Sequence, residues 1–541
     1  MRWMLLGFIF LLVSCRAQSL PPPFDRLEQG AYREVAQGEG FAALWAGSQL
    51  LADETLPLKE RAEYAFRWAD FLERARPFEP GYDRKAAWRE AARLLDQAGD
   101  PRAVLAYARL LPEEEATRRL LALDRGPTLW ERLFQGRAYA ALLEVLPPDE
   151  RPDLRAQVLY RLGRYREALP FYQAWAKREE RGLLGLGWTL FRLGRKEEAL
   201  EAFARYPHPE GLYAQGFVLE SQGRLLEAVA AYRRSTPEGL LRAGRILEAL
   251  GQKEEAARLY LLLGQEDVPF ADDALLWAYR LGEEAAREGL RRKGSGLLWL
   301  LGEAPPPPGP PPAVPEAPEA PLVRALLGAK RGEWARGVLR YALLERPGDW
   351  PALVPLLYEA GAYREGIRAA EGTALAYPRP YRDWVEEEAR RYGLEADLLF
   401  ALLHVESRFD PYAVSPTGAQ GLGQFTRATW LDVARMLGEE PGDPFDPHTS
   451  IRYAARYLAW LYERCRGFLE PARTACALTA YNGGIGYTLR GVEQEGDLFA
   501  FLWRQERDEP REYLEKVLRA YAHYRAFGEG PARPAPSRGG E

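Results

Sequence analysis

The stretch "YRLGRYREALPFY", residues 160–172, holds the pattern that decides the fold of this chain. Three similar stretches follow it: "FRLGRKEEALEAF" at 191–203, "ESQGRLLEAVAAY" at 220–232 and "EALGQKEEAARLY" at 248–260. Each has a glycine suited to a tight turn between two helices, then a Glu-Ala pair, then an aromatic residue that can pack on the neighbouring helix. The turn glycines are Gly163, Gly194, Gly223 and Gly251, at separations of 31, 29 and 28 residues.

These repeats resemble those of the tetratricopeptide family, with a slightly shorter period. Stacked helix pairs of that kind form a curved solenoid with a concave face, which either binds a peptide or serves only as a scaffold. Strand patterns are nearly absent, and apolar residues recur at helical spacing along the whole chain. We therefore predict an all-α protein whose residues 18–303 form an α-solenoid superhelix.

The bulk composition fits several soluble globular domains. The chain has 541 residues, of which 47% are hydrophobic and 28% charged, and its net charge is -5. It lacks the basic excess typical of nucleic-acid binders, so we predict no nucleic-acid partner.

The first residues predict export. Arg2 precedes the apolar run Trp3–Val13, which is too short to span a bilayer but is typical of a secretory signal. The signal segment, 1–17, has two interpretations. Cys15 ends a stretch that resembles a lipobox and would then carry a lipid, or cleavage after Ala17 would release a soluble protein. No later segment is long and apolar enough to cross a membrane, so a membrane contact would depend on lipidated Cys15.

Two further cysteines, Cys465 and Cys476, flank a predicted helix-loop-helix. Export makes a disulfide between them reasonable, and two buried free thiols are the alternative. We predict no metal site, because two cysteines without a nearby histidine pair do not complete a tetrahedral shell.

The segment "APPPPGPPPAVPEAPEAP", residues 304–321, interrupts the helical pattern. Proline lacks the amide hydrogen and clashes with the preceding helical turn, so we predict an extended linker or a long surface loop. Helical pairs resume over 322–376, a further domain follows over 377–527, and the tail 528–541 is predicted to be disordered.

A helix of almost unbroken apolar residues, Leu398–Val405, leads directly to Glu406. A hydrophobic surround and the negative end of the helix dipole both favour the neutral carboxylic acid. A protonated carboxyl can act as a general acid toward a leaving oxygen. The alternative is an ordinary helix-end glutamate that is solvated or paired.

Turn-forming and amide-bearing motifs follow Glu406. They are Ser415-Pro416-Thr417-Gly418, Gly421-Leu422-Gly423-Gln424 and Ala480-Tyr481-Asn482. The glycines let the backbone pass close to a ligand, and the side chains offer neutral hydrogen-bonding groups. Together these features indicate a groove that suits a carbohydrate.

Over residues 377–527 the chain resembles the lytic transglycosylases of the soluble murein transglycosylase type, whose catalytic domain is related to goose-type lysozyme. The motifs that carry the resemblance are Glu406-Ser407, Gly421–Gln424 for Gly-Leu-Met-Gln, Ala480–Asn482 for Ala-Tyr-Asn, and "EPREYLEKVL" from Glu509 for Glu-Thr-Arg-x-Tyr. Three positions depart from the family pattern, namely Gly423 for methionine, Arg427 for proline and Pro510 for threonine.

The resemblance implies that Glu406 is the sole acid and then base, and that Tyr481 supports it. It also implies that Ser415, Gln424, Asn482 and Glu509 contact peptidoglycan glycan strands. The reaction would leave a 1,6-anhydro sugar without metal or cofactor, in the periplasm or cell envelope. The repeats could bind other cell-wall enzymes. A lysozyme-like hydrolase and a non-catalytic envelope scaffold are the alternatives.

Three residues near Glu406 are given structural roles. Ser407 is expected to hydrogen-bond at the helix end, because no histidine and acid are arranged to activate it. His404 projects from another side of the helix than Glu406, and Asp410 is expected to form a turn before Pro411.

Overall fold

The computed structural model describes residues 20–79, 82–124, 126–147, 149–504 and 508–527, with the side chains of 508–511 not described. The predicted signal segment with Cys15 and the predicted tail 528–541 lie outside the described residues.

The prediction of an all-α protein is confirmed, since the described ranges contain only isolated β-bridges and no strand. The first helices are α1 (Phe24–Glu28), α2 (Tyr32–Ala36), α3 (Gly40–Gln49), α4 (Leu58–Ala75), α5 (Arg84–Gln97), α6 (Ala103–Ala108), α7 (Glu114–Leu123), α8 (Pro127–Gln135), α9 (Tyr139–Val145), α10 (Pro152–Arg161), α11 (Tyr165–Arg178), α12 (Arg181–Arg192), α13 (Lys196–Ala204), α14 (Pro209–Ser221), α15 (Leu225–Tyr232), α16 (Pro237–Ala249), α17 (Lys253–Leu263), α18 (Ala271–Arg280) and α19 (Ala285–Lys293).

The later helices are α20 (Ala320–Gly328), α21 (Gly332–Glu345), α22 (Trp350–Glu359), α23 (Tyr363–Ala369), α24 (Arg382–Arg391), α25 (Ala396–Ser407), α26 (Arg427–Leu437), α27 (Pro447–Arg464), α28 (Ala472–Gly483), α29 (Ile485–Glu495), α30 (Leu498–Arg504) and α31 (Asp508–Phe527). Short 3₁₀ helices cover Gly296–Leu301, Pro347–Asp349 and Ala374–Ala376. Among all of the described helices, none combines the length and apolar character needed to cross a membrane.

The repeats are built from helix pairs that fit closely. The four turn glycines have φ between +74° and +80°, a conformation that favours glycine. In the last three repeats the aromatic residue packs on a glycine of the preceding helix. A Cβ added at Gly187 would lie 2.4 Å from the Phe203 ring. One added at Gly216 would lie 2.6 Å from the Tyr232 ring, and one at Gly244 would lie 2.3 Å from the Tyr260 ring. Glycine at these positions therefore allows each helix pair to close.

The first helices of the chain share a hydrophobic core with α20 to α23. Phe24 and Trp45 lie 5.5 and 5.3 Å from Trp334, measured between ring centroids. Phe41, Phe71 and Leu357 are buried in the same cluster. The helical superhelix thus closes on itself, with its first residues against the helices that follow the proline-rich segment.

The proline-rich segment lies against other parts of the chain. Residues 303–317 are free of helix, and Ala317 is buried. The backbone amide of Ala374 donates to the carbonyl of Gly309 at 2.9 Å, and α20 begins at Ala320. The segment therefore runs beside the helices that it connects.

Helices α24 to α31 form the C-terminal domain, which packs against the superhelix. Trp277 stacks on Trp503 at 6.1 Å, and the Tyr260 ring meets Trp503 edge-on at 4.9 Å. Within the domain, Cys465 and Cys476 are joined by a disulfide bond with a Cα–Cα distance of 6.0 Å.

Candidate active site

Glu406 is the penultimate residue of α25 and is half-buried. The preceding residues Leu398–Leu403 are all buried, so this helix runs through the centre of the C-terminal domain. The helix ends sharply, because Arg408 and Phe409 adopt left-handed φ values of 50° and 58°. The Phe409 side chain is fully buried, which holds the turn in place and fixes the position of Glu406.

Two tyrosines lie beside Glu406, the half-buried Tyr481 and the buried Tyr513. Burial and the charge of Glu406 raise the pKa of Tyr481 well above its ordinary value. The pKa of Tyr513 is raised in the same way, by burial first and then by the charge of Glu406, near which its hydroxyl lies. Both side chains are therefore neutral phenols at physiological pH, each with one proton to donate.

Tyr481 also connects Glu406 to the glycine-rich loop. Its hydroxyl donates to the carbonyl of Gly423 at 3.0 Å, and its ring packs on Phe425 and Tyr457 at 5.7 and 5.4 Å. A Cβ at Gly423 would lie 2.8 Å from the Phe425 ring and 3.1 Å from the Tyr481 hydroxyl. Aromatic side chains thus crowd the position where the related family has methionine.

The loop is anchored by a close backbone approach at Gly421. This residue has φ +73°, and a Cβ there would lie 2.0 Å from the carbonyl oxygen of Pro444. Its amide donates to Ala413 at 3.0 Å, while the amide of Gly423 donates to the buried Ser450 hydroxyl at 3.2 Å. The loop therefore lies on the start of α27.

Ser415 and Gln424 stabilise this loop from within. The Ser415 hydroxyl accepts from the amide of Ala419 at 3.0 Å and lies 2.9 Å from Thr417 Oγ1. The Gln424 side-chain amide donates to the carbonyls of Ala413 and Gly421 at 3.0 and 2.8 Å. Both of its donor hydrogens are used, so only its oxygen can accept a bond from a ligand.

Asn482 follows Tyr481 on α28 and is half-buried, and its side chain makes no hydrogen bond to the part of the chain that the structure describes. Glu509 lies near the start of α31, and its side chain is outside the described set.

The neighbours of Glu406 have the expected local contacts. Ser407 Oγ donates to Leu403 and accepts from the amide of Phe409, each at 3.1 Å. The His404 ring lies 3.1 Å from the Tyr524 hydroxyl, and burial lowers the pKa of His404 to about 3, so it stays neutral. Asp410 accepts from the amide of Tyr412 at 3.0 Å and lies 3.9 Å from Arg364.

Tyr513 is the site residue that the sequence analysis missed. It belongs to the segment "EPREYLEKVL" that was quoted for its resemblance, where only Glu509 was singled out. Its spacing to Val517, Tyr521 and Tyr524 follows a helical stripe, which explains its burial but does not distinguish it from core residues. Within the described ranges, no group of three or more histidine, cysteine, aspartate or glutamate side chains is placed to hold a metal ion.

Residues 383–501 match the family model of the transglycosylase SLT domain. The membrane-bound lytic murein transglycosylase F 1 of Alkalilimnicola ehrlichii is 45% identical over 108 residues, which cover 20% of this chain and 21% of that protein. The membrane-bound lytic murein transglycosylase C of Yersinia pestis is 34% identical over 169 residues, covering 27% of this chain and 47% of that protein. The chain thus spans less than half the length of either curated relative.

A solved 70-kDa soluble lytic transglycosylase, in complex with bulgecin A, has a TM-score of 0.53 to this chain. The similarity covers 92% of this chain and 91% of that chain at 16% sequence identity, and therefore shows a shared fold. Residues 383–501 accordingly match the transglycosylase SLT domain, and the chain shares the all-α fold of that soluble enzyme.

Proposed function

We propose that this protein is a peptidoglycan lytic transglycosylase, which cleaves the β-1,4 bond between N-acetylmuramic acid and N-acetylglucosamine and leaves a 1,6-anhydro end. The observation that carries this proposal is the placement of one carboxyl group, Glu406, beside the neutral phenols of Tyr481 and Tyr513. This placement occurs in a domain that matches the transglycosylase SLT family.

In the first step Glu406 is the general acid. Its apolar helix holds the half-buried carboxyl at the end of a buried core. The bond between C1 of the muramic acid and the glycosidic oxygen breaks, and the proton of Glu406 goes to that oxygen. The sugar left behind has oxocarbenium character.

The two tyrosines then face a newly formed carboxylate. Because both phenols keep their protons, Tyr513 can donate a hydrogen bond to the charge on Glu406, while the single proton of Tyr481 bonds the carbonyl of Gly423. They also hold the carboxyl group in place, and the bond from Tyr481 to Gly423 fixes the distance between Glu406 and the loop. Such preorganised donors lower the barrier because they need no reorientation during the reaction.

In the second step Glu406 is the base. The 6-hydroxyl of the muramic acid loses its proton to Glu406, and its oxygen forms a bond to C1. This returns Glu406 to its protonated state and consumes no water. A second carboxylate is not needed, and Asp410, the next acidic residue along the chain, is directed to Tyr412 and Arg364.

The groove contacts follow from the free hydrogen-bonding groups. We assign the oxygen of Gln424 and the side chain of Asn482 to the hydroxyl and N-acetyl groups of the glycan. Ser415 and Glu509 are assigned to the same strand. The signal segment with Cys15 or Ala17 would place the enzyme in the cell envelope, and the repeats could contact other cell-wall enzymes.

Mass spectrometry of the muropeptides that the protein releases from sacculi tests the proposal. Muropeptides lighter than the hydrolytic products by one water molecule are expected. Hydrated ends would show a lysozyme-like hydrolase, and binding without release would show a scaffold.

Glu406→Gln is the matching variant, since the amide is similar in shape but cannot donate a carboxyl proton. We expect turnover to fall by a factor of about 1,000 or more, with little change in thermal stability. Glu387→Gln, at an exposed glutamate of α24 that is paired with Arg391, serves as the control and should keep full activity. Undiminished release by Glu406→Gln would contradict the mechanism.

A further inference from the structure

A second cleft lies on the C-terminal domain, away from the candidate active site. Its volume is about 450 Å³, within the range of about 300–1,000 Å³ typical of small-molecule sites. It lies between the 3₁₀ helix Gly296–Leu301, the start of α25 and the ends of α27 and α31. None of Glu406, Tyr481 and Asn482 lines it.

The cleft and Glu406 are at opposite ends of the same helix. Glu395, the residue before α25, lines the cleft, and Glu406 lies at the other end. At a rise of about 1.5 Å per residue their backbones are about 16 Å apart. A ligand in this cleft would therefore not be a sugar undergoing cleavage.

The walls of the cleft are polar groups held in fixed positions. The Tyr521 hydroxyl donates to Glu395 at 2.5 Å, and Trp299 meets the Tyr521 ring edge-on at 5.9 Å. On the other side the Tyr462 hydroxyl lies 2.7 Å from Thr474, whose own hydroxyl donates to Glu470 at 2.7 Å. These bonds make the cleft preformed, which lowers the entropy cost of binding.

Two arginines bring positive charge to the cleft, which is also lined by Glu395, Glu463 and Glu470. Arg473 donates from Nε to the carbonyl of Tyr462 at 3.1 Å and stacks on that ring at 5.7 Å. Arg525 lies over the ring of Tyr521 at 5.6 Å. Neither guanidinium forms an ion pair with any residue that the structure describes. Their terminal nitrogens are thus free to bind a carboxylate, for which a guanidinium has matching geometry.

The disulfide fixes the segment that carries one of these arginines. Cys465 directly follows α27, Cys476 lies in α28, and Arg473 falls between them in the closed loop. The same loop exposes Leu469, which is 87% accessible and precedes Glu470, a residue that lines the cleft. The loop therefore combines a charged and an apolar group on one rigid support.

We propose that this cleft binds a short peptide bearing free carboxylates, such as the stem peptide of peptidoglycan. The carboxylates bind Arg473 and Arg525, the peptide lies along Trp299 and Tyr392, and an amino group of the peptide faces Glu395 or Glu463. Only the source of the peptide rests on the proposed function. The cleft would hold a stem while a glycan strand occupies the groove at Glu406.

Calorimetric titration of the full chain with a sugar-free stem tetrapeptide tests the proposal. We expect one binding site, and the double variant Arg473→Ala, Arg525→Ala should weaken the affinity by more than about tenfold. The same peptide with its carboxylates amidated should bind no better to the wild type than to the variant. Arg435→Ala is the control, since Arg435 is 75% exposed and is paired with Asp432 on α26.

Unchanged affinity in the double variant would overturn the proposal, as would the absence of binding to the wild type at millimolar peptide. Equal affinity for the amidated peptide would do the same. Peptide binding is measured without turnover, so it is independent of the proposed function. A protein that binds the peptide through these arginines but releases no anhydro ends would refute only the activity.

Discussion

Tyr513 places its hydroxyl against the carboxylate of Glu406, although the two residues are more than 100 positions apart in the chain. Tyr513 lies near the start of α31. Tyr521, nearer the other end of the same helix, donates a hydrogen bond to Glu395. The two helices α25 and α31 therefore carry a tyrosine-glutamate contact at each end. The C-terminal helix completes the candidate active site and also forms a wall of the second cleft.

Tyr513→Phe should reduce turnover by about 10- to 100-fold, because Glu406 loses a donor that stabilises its charged form. The control is Tyr232→Phe, which removes a buried hydroxyl bonded to Glu220 in the repeats at 2.6 Å. Each variant should lose about 1 kcal/mol of stability. Steady-state release of anhydro muropeptides and thermal unfolding separate the two effects. Equal activities would show that Tyr513 only fills space.

Gly421→Ala should abolish activity and destabilise the domain by more than about 3 kcal/mol. The new Cβ would need a left-handed φ and would also collide with the carbonyl of Pro444. Gly418→Ala is the matched control, because Gly418 has φ +85° but open space around it. We expect it to cost only about 1–2 kcal/mol. Similar melting temperatures for the two variants would contradict the close approach at Gly421.

Loss of the disulfide should lower the stability of the C-terminal domain by about 3 kcal/mol, the value expected from chain entropy for a short closed loop. The bond joins residues separated by 11 positions. Denaturant unfolding of the double variant Cys465→Ser, Cys476→Ser measures this effect. The reduced wild type should show the same loss of stability. A variant as stable as the oxidised wild type would disprove the stabilising role.

Asp410→Asn should stabilise the protein at neutral pH but not in acid. Burial raises the pKa of Asp410 from 3.8 to about 6, with the charges of Glu365 and Glu79 adding to the effect and Arg364 opposing it. The folded state therefore binds the proton more tightly than the unfolded state, and stability falls as the pH rises from about 4 to about 6.

The asparagine has no charge to bury, so the gain at pH 7.5 is at most about 3 kcal/mol and disappears near pH 4. Melting temperatures at the two pH values check this, with the exposed Asp432→Asn as control. A loss of stability at pH 7.5 would instead mean that the pairing with Arg364 outweighs the cost of burial.

Local sequence patterns were sufficient for the parts of the fold that depend on nearby residues. The spacing of Gly163, Gly194, Gly223 and Gly251 predicts the helix pairs, because a turn glycine and its packed aromatic lie within one repeat. The all-α class follows from helical periodicity alone. The apolar run before Glu406 likewise predicts the buried helix that carries this carboxyl.

Features that depend on contacts between distant parts of the chain could not be predicted from local sequence patterns. Nothing in the pattern around Tyr513 indicates which buried group its hydroxyl meets. The sequence marks Gln424 as a ligand contact, whereas both hydrogens of its amide bond the loop backbone. The contact of Phe24 with Trp334 also cannot be predicted from the sequence. Apolar periodicity shows that one face of a helix is buried, but it does not show which other helix covers that face.

The shared core between the first helices and α20 to α23 restricts how the repeats can evolve. An open solenoid gains or loses a repeat with little effect elsewhere, because each unit contacts only its neighbours. Here the two ends of the array meet at Trp334, so one repeat more or fewer would pull Phe24 and Trp45 away from it. The number of repeats is therefore fixed by closure, as the number of strands is in a barrel.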